Sequence, residues 1–292
     1  MLTINPKEVE IARNYGIMAG SVGPRPIAFA STINEEGQAN LAPFSFFNVV
    51  SANPPMLMFS PLLRISDGSA KDTLNNVSTQ GEVVINIVNY EMVQQMSLAS
   101  TDYATGVNEF VKTGLTPLES DVVKPFRVKE SPVQFECVVK EVVSLGEEGG
   151  AGNVVLCEVV RMHVAEEVMD EHLNIIDQTK IDQVARMGSN YYSRANKGMF
   201  EIPKPKTTMG IGVDAFPEDV RTSNVLTGND LGKLGTIERL PNKEEINSFL
   251  NELNLVEYIK EGSVEKIHAV AQEYLKQEEI EKAWKVLLAK LN

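Results

Sequence analysis

Pro43 sits in the middle of an otherwise strand-like stretch, Gln38 to Asn48, QANLAPFSFFN. Proline has no N–H to give to a sheet ladder, so a strand containing it must lie at an edge, end there, or bulge. Three aromatics, Phe44, Phe46 and Phe47, follow within four positions, with the polar Ser45 and Asn48 among them. A flat, partly polar ligand needs an apolar wall with a few polar groups on irregular backbone, and this stretch supplies those parts. Taken alone it reads first as a buried strand end, because aromatics belong mostly to cores.

A second stretch, Ser69 to Gly81 (SAKDTLNNVSTQG), complements the first. Ser69 and Asp72 have the spacing of a loose capping box. Leu74 and Val77 then form a short apolar helical stripe, and Gly81 is a suitable stop. Lys71, Asp72 and Thr73 are thus expected in the first turn. Unbonded N–H groups and the positive end of the helix dipole attract an anion there. Lys71 adds a charge and Thr73 a hydroxyl, a set that suits a phosphate. Asp72 opposes this unless its carboxylate turns back to the cap. By itself the segment is also an ordinary capped surface helix.

The chain has 292 residues, 43% of them hydrophobic, which suffices for one large or two modest domains with real cores. The formal net charge of −13 argues against nucleic acid or an anionic membrane as partner. The two cysteines, Cys137 and Cys157, form no CxxC and no metal spacing. They are expected as buried free thiols, which fits a reducing cytoplasm. The start, MLTINPKEVE, has no basic region followed by an apolar core, so no signal peptide is expected. No apolar run approaches the ~20 residues of a membrane span.

In chain order, residues 6–14 read as a short helix or entry arm, and 27–33 as a strand turning at Asn34–Gly37 into the aromatic stretch. Residues 56–60 and 82–88 read as strands. Asn86, polar among aliphatics, is either outward-facing or bonded to a ligand or to the aromatic loop. Asn89 is expected to cap a helix to about Ala99, with Met92, Val93 and Met96 on one face. Residues 133–143 and 153–164 alternate and form a long hairpin across a flexible GEEGGAG connection. His163, at its end, reads as a surface or interface residue. His172 has Asp177 nearby, yet no nucleophile elbow, HExxH or Walker loop accompanies it. Residues 196–210, with Lys197, Lys204 and Lys206, read as a linker, and 226–235 as turn-rich. Asn242 with Glu245 and then Ser263 are expected to cap helices, the first with Ile246, Phe249, Leu250 and Leu253 on its apolar face. Ile280, Ala283, Trp284, Leu287 and Leu291 make a further stripe.

Eight segments in order resemble the flavin reductase-like, FMN-binding split-barrel family: GPRPIAFAST (23–32), NLAPFSFFN (40–48), NPP (53–55), FS (59–60), AKDT (70–73), VINIV (84–88), FVKTGLTP (110–117) and ARMGSNYYSR (185–194). The resemblance spans roughly residues 10–205. It implies a mainly β fold with some α: a split β-barrel over residues 1–205, followed by a small α-helical extension over 206–292, mostly helical from about 243. It also implies a homodimer with noncovalent FMN near the dimer interface. The phosphate would then go to Lys71, Asp72 and Thr73. The ring would lie against Ala42, Pro43, Ser45 and Phe46, with Asn40 at the ribityl chain or ring edge. Arg186 would face phosphate or substrate, and Tyr192 would cover the ring; they read equally as a surface ion pair and an interface aromatic. Some relatives carry a basic residue near Asn108–Glu109. Glu109 stands here instead, which leaves more of the phosphate to Lys71 or to an arginine from elsewhere.

The expected activity is that of an NAD(P)H-dependent flavin reductase or related oxidoreductase, with NADH or NADPH as donor. In such chemistry the flavin does the hard step, and the protein supplies position and electrostatics. The alternatives are a flavoredoxin-like electron carrier without its own nicotinamide site, and a structural split barrel with an emptied site.

Overall fold

Alternation of buried and exposed side chains shapes residues 1–200. In β9 (Asn153–Val164) the buried positions Val155, Cys157 and Val159 are two apart, the period of a pleated strand. It pairs antiparallel with β8 (Val133–Ser144) from Val133↔Val164 to Ser144↔Asn153, through two register shifts. The other long strands are β1 (Ala28–Ile33), β2 (Ala39–Phe44), β3 (Phe47–Ala52), β4 (Pro55–Phe59) and β5 (Glu82–Ile87). Together they form one seven-stranded sheet in the order β2-β1-β5-β8-β9-β4-β3, with every pairing antiparallel. Short pairs, β6 (Pro117–Leu118) with β7 (Arg127–Val128) and β10 (Val184–Arg186) with β11 (Tyr192–Arg194), complete the strands.

The two edges of that sheet, β2 and β3, are consecutive in the chain and separated only by Ser45 and Phe46. A two-residue link between the outermost strands forces the sheet to curl until its edges meet. No ladder joins them among the described residues, so the barrel is split along this seam. Pro43 lies in edge strand β2, where its missing N–H costs no ladder bond.

Ala28 and Ala30 of β1 face an inner core with Phe44, Phe59, Ile85 and the two cysteines, into which α2 (Asp72–Gln80) places Leu74 and Val77. Phe29, between the alanines, points the other way. It packs with Leu41, with Met92 and Met96 at α3 (Val93–Leu98), and with Phe110 of α4 (Glu109–Thr113). Burying each such side chain contributes about 1.5–3 kcal/mol. Cys137 and Cys157 are both fully buried and unbridged. The neighbouring Cys157 thiol, with burial, pushes the Cys137 thiol well above the usual range.

Local expectations are corrected at several points. The entry segment is a short 3-10 turn followed by α1 (Ile11–Ser21), which continues through Gly16 and Gly20. Ser69 makes no capping box: its hydroxyl bonds Asp67 and Arg64, and Lys71 is the N-cap residue with no side-chain cap bond. Gly81 does end the helix, at φ 69°. The helix expected from Asn89 starts only at Val93, and the Asn89 side chain accepts from Met92 N at 3.3 Å. Asn86 neither faces outward nor serves the aromatic loop. It is fully buried, donates to Phe29 O at 3.0 Å and accepts from Val128 N at 2.9 Å. His163 is not free at the surface, because its Nε2 lies 2.6 Å from buried Glu136, whose carboxylate also accepts from the N–H groups of Asp121, Val122 and Val123.

The chain divides into two compact units, Met1–Phe200 and Glu201–Asn292. The computed structural model describes residues 1–202, 209–253 and 256–289. Lys204 and Lys206 of the expected linker, and Leu291 of the last stripe, lie outside them. The second unit holds α5 (Glu218–Arg221), α6 (Gly228–Leu234), α7 (Lys243–Glu252), α8 (Val256–Glu261), α9 (Val264–Lys276) and α10 (Ile280–Leu288). The stretch read as turn-rich is α6, started by a capping box of Thr227 and Asp230. Asn242 with Glu245 forms a second such box, and Ser263 caps α9. Leu253 is exposed rather than on the apolar face. This unit has its own core around Trp284, whose indole donates to Leu234 O at 2.9 Å. Among the described residues no helix is long and apolar enough to cross a membrane.

Candidate functional site

The seam between β2 and β3 opens onto a hollow of about 240 Å³. Its walls come from distant parts of the first unit: Tyr15 of α1, the link Pro43–Phe46, Lys71 ahead of α2, Ser100 beyond α3, and Arg186 and Tyr192 of the β10–β11 hairpin. The Tyr15 ring lies 6.2 Å from that of Phe46, and the Arg186 guanidinium 4.7 Å from that of Tyr192. An adjoining hollow of about 60 Å³ shares Pro43, Lys71 and Ser100. It is further lined by Asn40, Ala42, Arg64, Asp72, Thr73 and Glu109.

The smaller hollow has the character of an anion site. It receives the start of α2, where the N–H groups of Asp72 and Thr73 have no intrahelical partner. Lys71 stands beside them, its ammonium 5.8 Å from the Phe44 ring centre and in no ion pair among the described residues. Burial pulls its pKa below the ordinary lysine value. Arg64 reaches the same hollow, held by Asp102 at 3.0 Å and by the Ala70 carbonyl at 2.8 Å. Thr73 accepts from Asn40 at 2.8 Å, so its own hydroxyl proton remains to be donated. Three acids line this end, and each has another partner, Asp102 being the one that holds Arg64. Asp72 accepts from Thr105 at 3.1 Å, instead of turning to a cap. Glu109 accepts the N–H of Leu41 at 2.9 Å, filling an open position on edge strand β2. Burial raises its pKa, so it presents less than a full negative charge over a wider pH range.

All ten residues expected at a site line one or both hollows: Asn40, Ala42, Asp72 and Thr73 the smaller, Ser45, Phe46, Arg186 and Tyr192 the larger, Pro43 and Lys71 both. Asn40 also has a bonding role within the protein. Its amide donates to Thr73 and to Thr32, which also accepts from Asn76, so Asn40 braces α2 against β1. Asn48 is exposed and its side chain accepts from Val49 N. His172 is exposed beside Glu171, remote in character from any cleft. Sequence reasoning missed Tyr15, Arg64 and Ser100. Nothing near them in the chain marks them; only the packing of α1, the 61–70 loop and the end of α3 brings them in. Arg64 lines the same hollow as Glu109.

A sequence model described as flavin reductase like domain matches residues 20–185, more than half of the chain and all within the first unit. The chain belongs to the flavin reductase-like family. A relative from Aquifex aeolicus, an uncharacterised protein, is 39% identical over 189 residues, covering 65% of this chain and 93% of its own. Among solved structures, nitrilotriacetate monooxygenase component B from Bacillus cereus is 33% identical, with a TM-score of 0.65, over 69% of this chain and 98% of that one. The 2-nitrobenzoate 2-nitroreductase of Pseudomonas fluorescens is 26% identical, with a TM-score of 0.62, over 72% and 100%. The split barrel with a curled antiparallel sheet is the fold of the family, and this chain adds a helical unit after it.

Proposed function

We propose that the first unit binds FMN noncovalently in the two adjoining hollows and passes electrons through it, as an oxidoreductase of the flavin reductase type. The observation that carries this reading is the junction at Lys71. An anion-seeking helix start with Lys71, Arg64 and Thr73 adjoins a larger hollow walled by aromatics and opening at the barrel seam. A molecule with a doubly charged phosphate at one end and a flat, partly polar ring at the other matches that pair. The donors present fit the group: free N–H groups, a hydroxyl and two cations for the phosphate, and Phe46, Pro43 and Ser45 for the ring. When bound, the flavin supplies hydride and electron transfer, while the protein fixes its position and limits access to water.

The proposed electron source is NADH or NADPH. Arg186 and Tyr192, a cation on an aromatic at the rim of the larger hollow, suit an anionic, planar partner. The test is anaerobic addition of NADH, then NADPH, to the FMN-loaded protein while its visible absorbance is followed. Bleaching by one of them supports the reductase and names its donor. A spectrum unchanged by both, yet bleached by dithionite, favours an electron carrier that needs a separate reductase. The same reading makes the protein a homodimer. Val49 and Val50 on edge strand β3 and Met18 on α1 are exposed apolar residues suited to a partner subunit. A monomeric mass in solution would remove that part of the proposal.

A further inference from the structure

Arg25 is the only lysine or arginine among the described buried residues, at 6% exposure. No carboxylate pairs with it among the described residues. One terminal nitrogen donates to Ala19 O and, at 2.5 Å, to Val22 O, at the C-terminal end of α1; the other donates to Met187 O at 2.9 Å. Nε lies 3.4 Å from the Ser45 hydroxyl oxygen, and the guanidinium carbon 5.9 Å from the Phe46 ring centre. All of these acceptors are neutral. The carbonyls at the end of α1 offer partial negative charge, but a buried charge normally has a full counterion. Here none is supplied.

Ser45 and Phe46, the residues against Arg25, are also wall residues of the larger hollow. The charge therefore sits one side chain behind that wall. No Asp or Glu lines this hollow, whereas Lys71 and Arg186 do. Of the elements packed on Arg25, α1 carries Arg13 and Tyr15 and has Glu10 at its N-cap, all exposed; the strand beside it carries Arg186; the 45–46 link carries no charge. Arg186 is less buried and spread over Tyr192, so solvent screens it more. Arg25 is thus the least screened charge facing this end of the site.

We propose that Arg25 sets the redox equilibrium of the flavin by favouring its negatively charged reduced form. This rests on the reading of the cleft as an FMN site. Two electrons and one proton, delivered by a reduced nicotinamide or by dithionite, leave the ring with one added negative charge. A second proton from solvent would neutralise it. A buried cation nearby stabilises the charged product and is indifferent to the neutral oxidised ring. Its effect falls on the potential, and on the affinity for reduced relative to oxidised FMN.

The experiment is spectroelectrochemical titration of the FMN-loaded, full-length protein across neutral and mildly acidic pH, with free FMN in parallel. Wild type, Arg25→Lys and Arg25→Gln are compared, and both dissociation constants of FMN are measured. For wild type the potential changes by one proton per two electrons, about 30 mV per pH unit, to a lower pH than for free FMN. Arg25→Gln lowers the potential by a tenfold or larger shift in the equilibrium, about 30 mV, matched in the ratio of the two dissociation constants. Arg25→Lys retains most of the wild-type value. A folded, FMN-bound Arg25→Gln with unchanged potential overturns the proposal. If that variant does not fold, a wild-type slope that doubles at the same pH as for free FMN overturns it. Failure of wild type to bind FMN at all removes the cofactor reading and this inference together, whereas binding with an unshifted potential removes this inference alone.

Discussion

Lys71 joins the two hollows, and its environment decides how it binds. Burial lowers its pKa, and the charge of Asp102, itself paired with Arg64, offsets this only in part. A phosphate would supply the missing counter-charge. FMN affinity is therefore expected to be level near neutral pH and to weaken as pH rises through the lowered Lys71 pKa, earlier than an ordinary lysine would dictate. Replacing Lys71 and Thr73 together by Ala should cost about 1.5–3 kcal/mol for each charge-assisted bond lost. Flavin fluorescence titration against pH reads both effects, and unchanged affinity in the double variant would remove the phosphate assignment. Asn86 tests a different residue-level point. Because it ties β1 to the Val128 turn, Asn86→Leu leaves the buried Val128 N–H without its acceptor. About 1–3 kcal/mol of stability should be lost for that group, as measured by urea unfolding, with little change in FMN binding at saturation.

At the scale of elements, Glu136 on β8 organises a loop. Its carboxylate takes three N–H groups from residues 121–123 and contacts His163 across the hairpin. Burial pushes its pKa up, but the bonds from Asp121, His163, Val122 and Val123 pull harder and leave it below the usual range. A carboxylate depressed in the folded state contributes stability that is present above its unfolded pKa, about 4.3, and lost as pH falls through the folded value. Glu136→Gln should lower stability near pH 7 by roughly 1.5–3 kcal/mol for a charged bond lost and flatten the acid limb of the stability curve. Urea midpoints measured from neutral to acid pH check this, and an unchanged acid limb would contradict it. The strands themselves were legible, because β5 is rich in Val and Ile, β8 and β9 alternate, and Pro43 demands an edge. Helix starts were less so. Ser69 and Asp72 have capping-box spacing, but Arg64 and Asp67 compete for the serine hydroxyl from the loop before it. α1 and α6 each run through two or more glycines, and packing overrides that propensity. For the site, the residues along 40–46 and 71–73 could be read from the chain. Arg64, Tyr15 and Ser100 could not, since their roles depend on contacts made only after the barrel curls.

For the whole molecule, the two units have separate cores, around Phe29, Phe59 and Ile85 in the first and around Trp284 in the second. Every residue lining the two hollows lies in the first unit. A chain ending at Phe200 should accordingly fold and bind FMN with wild-type affinity. A folded truncation that has lost FMN would show that the helical unit completes the site. Whether the junction at Lys71 seats a flavin by its phosphate is read by titrating the purified protein with FMN and with riboflavin. FMN is expected to bind and turn the protein yellow, and riboflavin, lacking only the phosphate, to bind at least tenfold more weakly, about 1.4 kcal/mol. Equal affinity for both, or binding of neither, would contradict that seating.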